Sequence, residues 1–339
     1  MGSPEMSKLL QSVVEPYLLD GPRQYNREQV VEHSGVPSEI SRRLWVSLGF
    51  AANPDDTAIE YTDGDVAAVR NFESLGVLAS AELPRQSAAA RTLGQSMARL
   101  AEWQVDLVAE EIAARIRSMS AAHPEADQAE VARTATEEVV TALQQLQTYA
   151  WRRHLAAALT RSLDGGAVTG ETGDTVRELA VGFADMVGYT RLTRHLDPDE
   201  LSELLQTFET ITTDAIASNG GWVIKNVGDE VMFAAEKAVE GARIALAIQE
   251  ATAASETTPE LRVGLAYGDV LVRFGDLYGS VVNMAARLTG VARPGTVLID
   301  DVAAARLAGE PEFTLRHLRS VRVRGFSRLR SHVLRRAGR

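Results

Sequence analysis

Apolar residues recur at one period through the first half of this chain and at another through the second. Residues 7–150 hold them at helical spacing with no strand-like alternation of any length, which predicts a mostly helical region. Leu100, Trp103, Leu107, Ile112 and Ile116 form one stripe, on a helix predicted over 86–119. Val131, Val139, Leu143 and Leu146 form another, on a helix predicted over 124–162. Met97 and Trp103 read as core or interface residues. Nearer the start, Arg27 to Gly35, then Val36-Pro37-Ser38-Glu39 and an apolar stretch through Leu44 and Val46, predict a helix–turn–helix. Trp151–Leu159 is strongly helix-prone, and residues 164–175, with Gly165, Gly166, Gly170 and Gly173, predict a hinge.

Past the hinge the period shifts. Leu179 to Asp185 is a mostly apolar run that suits a buried central strand. Asp197-Pro198-Asp199-Glu200 is a helix start, with Asp as N-cap, Pro at the first helical position and Glu closing a capping box. The stripe behind it is Leu201, Leu204, Leu205, Phe208 and Ile211. Trp222–Val227 and Val231–Ala235 are short β runs around Gly228-Asp229, a hairpin. A helix over 236–253, a strand over 261–267, a helix carrying Asn283 and Arg287, and final strands follow. Strand–helix–strand–strand–helix–strand is the order of a ferredoxin-like α+β core with additions.

Length sets a prior of about two domains. The pattern divides the chain into a helical domain over 1–150, a linking helix and hinge over 151–175, and an α+β domain over 176–339. Composition is that of a soluble globular protein, 45% hydrophobic and 24% charged. No apolar run approaches the ~20 residues of a membrane helix. No basic-then-apolar leader opens the chain, so a cytoplasmic location is expected. The absence of cysteine excludes disulfides, thiol catalysis and thiolate metal sites. Residues 1–150 carry 22 acids against 12 Lys and Arg, whereas 151–339 carry 24 against 23. The helix–turn–helix resembles the start of winged-helix transcription regulators. An acidic surface is nonetheless poorly matched to a phosphate backbone, and no nucleic-acid partner is expected.

Candidate chemistry concentrates in three segments. Phe183-Ala184-Asp185-Met186-Val187-Gly188-Tyr189-Thr190 and Val227-Gly228-Asp229-Glu230-Val231-Met232-Phe233 each bring an aspartate to the end of a β-like run. Asn283-Met284-Ala285-Ala286-Arg287 sets an amide and a guanidinium four residues apart on one helix face. Two carboxylates that can share Mg²⁺, with an arginine aimed at developing phosphate charge, are what phosphoryl and nucleotidyl transfer requires. From about Val181 to Arg336 these segments resemble the catalytic domain of class III adenylyl cyclases.

That resemblance implies a ferredoxin-like (βαββαβ) catalytic fold behind an all-α regulatory domain, converting ATP to 3′,5′-cyclic AMP and pyrophosphate. It implies that Asp185 and Asp229 hold two Mg²⁺ or Mn²⁺ ions per site, and that the amides from Met186 to Thr190 face the β- and γ-phosphates. Lys225 and Asp276 would read the purine, Asn283 orient the ribose and Arg287 stabilise the α-phosphate. Where the family offers a lysine to the triphosphate this chain has Val321-Arg322-Val323-Arg324-Gly325-Phe326, so Arg324 takes that part, with Arg322 the alternative. Family sites lie between two catalytic domains, and one unrepeated chain with both residue sets implies a homodimer. A diguanylate cyclase is the rival within the reaction class, on the likeness of Val227–Val231 to a Gly-Gly-Asp-Glu-Phe turn. A non-catalytic nucleotide sensor is the rival outside it. The whole chain is similar to soluble actinobacterial cyclases whose helical N-terminal domain restrains catalysis, some of them responsive to pH. His154, just before the hinge, is a candidate proton sensor or an ordinary exposed histidine.

Overall fold

The computed structural model describes residues 12–76, 82–164, 168–169, 175–255, 257–323 and 326–338. The chain separates into two compact units, Met1–Ala156 and Ala157–Arg339. The first is helical. After a short helix over 12–18 come α1 (Arg27–Ser34), α2 (Ser38–Ser47), α3 (Asp63–Ser74), α4 (Leu83–Ala122) and α5 (Gln128–Asp164). The predicted helix–turn–helix forms as α1 and α2, because Asn26 and Gln29 close a capping box at one end and Gly35 turns left-handed at the other. Val30, Val36, Val66 and Val69 make its small core. A single bridge, Tyr25 to Tyr61, is extended structure that the helical pattern did not predict.

The stripes on α4 and α5 form a common core near their connecting turn, where Ile112, Ile116, Val131, Ala132, Ala135 and Val139 are buried together. Farther along, Trp103, Leu107 and Leu146 are exposed, Trp103 to 60%. Met97 is exposed too, to 49%, so the core reading of Met97 and Trp103 fails. Helical spacing says which face is apolar, not how much of its length finds a partner within the unit. Between the 12–18 helix, α4 and α5 lies an open, mostly apolar cavity of about 600 Å³. At its polar edge Gln147 donates to buried Gln104 at 2.8 Å. Trp151–Leu159 is helical, within α5. Most of the predicted hinge lies outside the described residues. No helix among those described is long and apolar enough to cross a membrane.

The second unit is built on β1 (Val168–Thr169), β2 (Thr175–Met186), β3 (Trp222–Val227), β4 (Glu230–Ala235), β5 (Leu261–Arg273), β6 (Asp276–Tyr278), β7 (Thr296–Ile299), β8 (Phe313–Val323) and β9 (Phe326–Arg336). They pair in the order β3-β4-β2-β5-β7-β9-β8, with β1 on β2 and β6 on β5. The helices between them are α6 (Tyr189–Leu192), α7 (Pro198–Ser218), α8 (Ala238–Ala253), α9 (Ser280–Val291) and α10 (Asp301–Arg306). β2-α7-β3-β4-α8-β5 is the expected βαββαβ core, its four strands antiparallel. Asp197 starts α7 with the predicted capping box, accepting from the amides of Asp199 and Glu200.

Strand alternation sends β2 side chains to two cores. Ala180, Ala184 and Met186 pack with Phe208 of α7, Ile244 and Ile248 of α8 and Ala303 of α10. Leu179, Val181 and Phe183 pack on the other face, with Met232, Ala266 and Ala285 of α9. α9 sits very close to the sheet. A Cβ on Gly264 of β5 would come within 2.3 Å of the Thr289 amide and 2.4 Å of the Ala285 carbonyl. Only glycine permits that approach.

Candidate active site

The register of the central strands assembles the acidic cluster. Asp185 pairs across to Glu230 of β4 on one side and Arg262 of β5 on the other. Its parity is that of Val181 and Phe183, so it lies on the α9 face of the sheet. Asp229 occupies the turn after β3, and its carbonyl accepts the Met186 amide at 3.1 Å. The segment that ends in Asp185 is thereby tied to the one that carries Asp229. Both aspartates are half-buried.

Electrostatics reflect that crowding. Burial pushes the Asp185 carboxyl above its usual range and the charge of Asp229 adds to the rise, while Arg262 opposes it. Glu230 is raised as well, by burial first and then by Asp185 and Asp229, with Lys225 pulling the other way. Hard oxygen donors that burden one another in this way suit a divalent cation, and Mg²⁺ needs one or two carboxylates besides substrate phosphates. The residues present therefore fit the ion.

Lys225 and Asp276 come from separate hairpins and meet. Lys225 Nζ lies 2.8 Å and 3.0 Å from the two Asp276 carboxylate oxygens. A bulge between Val223 and Lys225 sets the lysine opposite Met232, on the face of Asp185. Asp276 follows the two-residue turn Phe274-Gly275, with φ of 50° and 81°, and closes the hairpin opposite Arg273. Its Oδ1 also accepts the Leu277 amide at 2.8 Å, which fixes the carboxylate.

Asn283 and Arg287 lie one turn apart on α9, away from the buried side held by Ala285, Leu288 and Thr289. Thr289 anchors that side, its hydroxyl 3.3 Å from the Phe183 carbonyl in β2. Asn283 is exposed and Arg287 half-buried. Arg324 lies outside the described residues, and Arg322 is placed only as part of β8. One expectation needs correction. Of the amides from Met186 to Thr190, two are already committed, Met186 to the Asp229 carbonyl and Val187 to that of Glu260 at 2.9 Å. Only the later part of the segment can face phosphates. Sequence reasoning also passed over Glu230, a third carboxylate of the cluster, and Arg262, the cation beside it. Adjacency to Asp229 marked the first, but only strand register reveals the second.

An antiparallel βαββαβ sheet extended by a C-terminal hairpin, with α9 bedded on one face, is the catalytic architecture of class III nucleotide cyclases. Residues 172–336 match the adenylate and guanylate cyclase catalytic domain. An adenylate cyclase of Streptomyces coelicolor is 40% identical over 298 residues, 87% of this chain and 74% of that protein. One from Glutamicibacter nicotianae is 32% identical over 98% of this chain and 84% of its own length. A pH-sensitive adenylate cyclase of Mycobacterium tuberculosis is 30% identical over 84% of this chain and 70% of its own. The chain belongs to the class III adenylyl cyclase family, and it is an adenylate cyclase.

Proposed function

We propose that two copies of this chain convert ATP to 3′,5′-cyclic AMP and pyrophosphate at shared sites, restrained by residues 1–150. The observation that carries the substrate is the Lys225–Asp276 pair, a donor and an acceptor held side by side. Adenine offers a matching edge, its amino group toward the carboxylate and a ring nitrogen toward the ammonium. Guanine has a carbonyl where adenine has the amino group, and would set acceptor against acceptor. Such mismatches cost about 1–3 kcal/mol per unsatisfied group, enough to discriminate.

Asp185 and Asp229 hold the metal, two Mg²⁺ or Mn²⁺ ions per site in this reading. Bound there, the ions would activate the 3′-oxygen and steady the leaving pyrophosphate. Asn283 orients the ribose, Arg287 meets the charge that grows on the α-phosphate, and Arg324 or Arg322 holds the triphosphate. One protomer supplies the carboxylates and its partner supplies Lys225, Asp276, Asn283 and Arg287, so an isologous dimer has two equivalent sites. Catalysis is positioning and electrostatics, with no covalent intermediate.

Restraint by the helical unit is read from the lack of recognisable chemistry there and the stiff helix that leaves it. The similarity to a pH-sensitive relative supports protons as the signal, and His154, exposed on α5, is the group assigned to sense them. The substrate assignment is tested by joining Lys225→Ala with Asp276→Ala. ATP turnover should fall steeply without a matching gain in GTP turnover, and unchanged ATP kinetics would remove both residues from the adenine site.

A further inference from the structure

A second cluster of metal-binding side chains lies on the C-terminal hairpin, apart from the carboxylates of the proposed active site. His317 of β8 and His332 of β9 are direct cross-strand partners. Their parity is that of Leu315 and Leu334, a neighbouring pair packed in or against the main core. Both imidazoles therefore lie on the face of the hairpin shared with those leucines, His332 half-buried and His317, like Asp301, exposed. The rings are edge to face, their centroids 4.9 Å apart. Asp301, the first residue of α10, completes the group, its Oδ1 2.9 Å from His332 Nε2. One ligand atom from each of Asp301, His317 and His332 lies within 4.8 Å of the others, the one such trio among the described residues.

An ordinary hydrogen bond accounts for Asp301 and His332 but not for the second imidazole beside them. We propose that Asp301, His317 and His332 bind a divalent transition-metal ion of the zinc class. Two imidazole nitrogens and one carboxylate oxygen are a borderline donor set, suited to Zn²⁺, Co²⁺ or Ni²⁺ and poorly suited to Mg²⁺, which seeks oxygen. Tetrahedral Zn²⁺ sets its donors about 3.3 Å apart, so small ring rotations would close the trio, leaving the fourth position to water. His332 is well supported for the task, its side chain only 19% exposed. Arg330 approaches the other Asp301 oxygen, Oδ2, at 4.0 Å and would orient the carboxylate. The bound ion would tie the start of α10 to both strands of the hairpin on which Arg322 lies.

The test uses full-length protein stripped with a chelator and titrated with Co²⁺ in excess Mg²⁺. One Co²⁺ per chain should give the visible absorption of a low-coordinate, nitrogen-ligated site, and Zn²⁺ should displace it. His317→Ala is the decisive variant because it leaves the Asp301–His332 pair intact. It should weaken binding more than about tenfold and abolish the rise in melting temperature that Zn²⁺ gives the wild type. The double variant Asp185→Ala with Asp229→Ala should bind Co²⁺ with the wild-type spectrum. Binding unchanged by His317→Ala, binding lost in the aspartate double variant, or no Co²⁺ bound at micromolar concentration would each overturn the site.

Discussion

The two units of this chain bury apolar surface in opposite ways. In the C-terminal unit the central strands are covered on both faces, and contacts are so close that a helix lies against a glycine backbone. In the N-terminal unit two long helices share a core near one turn and leave Trp103, Leu107 and Leu146 exposed. The first arrangement defines the positions of single atoms, as chemistry on a phosphate demands. The second defines faces and lengths, which suits the restraining role proposed for that unit. Single substitutions should therefore matter most in the first, and removal of whole elements most in the second.

The largest effect should come from Asp185→Ala or Asp229→Ala, each nearly abolishing cyclic AMP formation while folding and dimerisation persist. Circular dichroism and gel filtration check the latter. Turnover above about a tenth of wild type at saturating Mg²⁺ would sink the two-carboxylate assignment. Mixing Asp185→Ala chains with Arg287→Ala chains should restore part of that lost activity, since a heterodimer keeps one intact site. No recovery despite demonstrated subunit exchange would argue against sites shared between protomers.

Deleting residues 1–163 should have a smaller and opposite effect, raising activity near neutral pH and flattening its pH profile. Full-length activity should rise as pH falls, and the truncated enzyme should not follow it. The full-length to truncated ratio at pH 6 and pH 8 is the measurement. A constant ratio rules out proton control through this unit, and a slower truncated enzyme at both values rules out restraint.

The smallest effect concerns stability. Asp300 caps α10 by accepting the Ala303 amide at 2.9 Å, and burial raises its carboxyl to about 6. A carboxyl raised by folding contributes stability at low pH that is lost as pH climbs through the folded value. Asp300→Asn keeps the cap without the charge, so in chelator it should gain stability over wild type at pH 8 and little at pH 4. About two pKa units bound the gain at roughly 3 kcal/mol. Equal changes in melting temperature at both pH values would contradict this account.

How much the sequence disclosed follows the same division. The βαββαβ order was legible because capping residues, turn glycines and alternation each mark an element locally. The meeting of Lys225 with Asp276 was suggested by two distant motifs, although neither shows the bulge that turns the lysine to the right face. Arg262 was not legible, because its approach to Asp185 depends on a strand partner far along the chain. Nor was the early loss of two amides in Met186–Thr190, which depends on the acceptors that folding brings to them. In the helical unit, periodicity marked the stripes on α4 and α5 but could not say where burial would stop.

Gly264 carries a consequence for anyone engineering this enzyme. It touches no candidate substrate group, yet a methyl there would act as a wedge beneath α9, lifting it by about 1 Å to relieve contacts of 2.3 Å and 2.4 Å. Arg287 and Asn283 would ride upward with the helix. Misplacement on that scale can cost about a hundredfold in rate. Gly264→Ala should then lower kcat with little change in KM, a mechanical tolerance disguised as a catalytic defect.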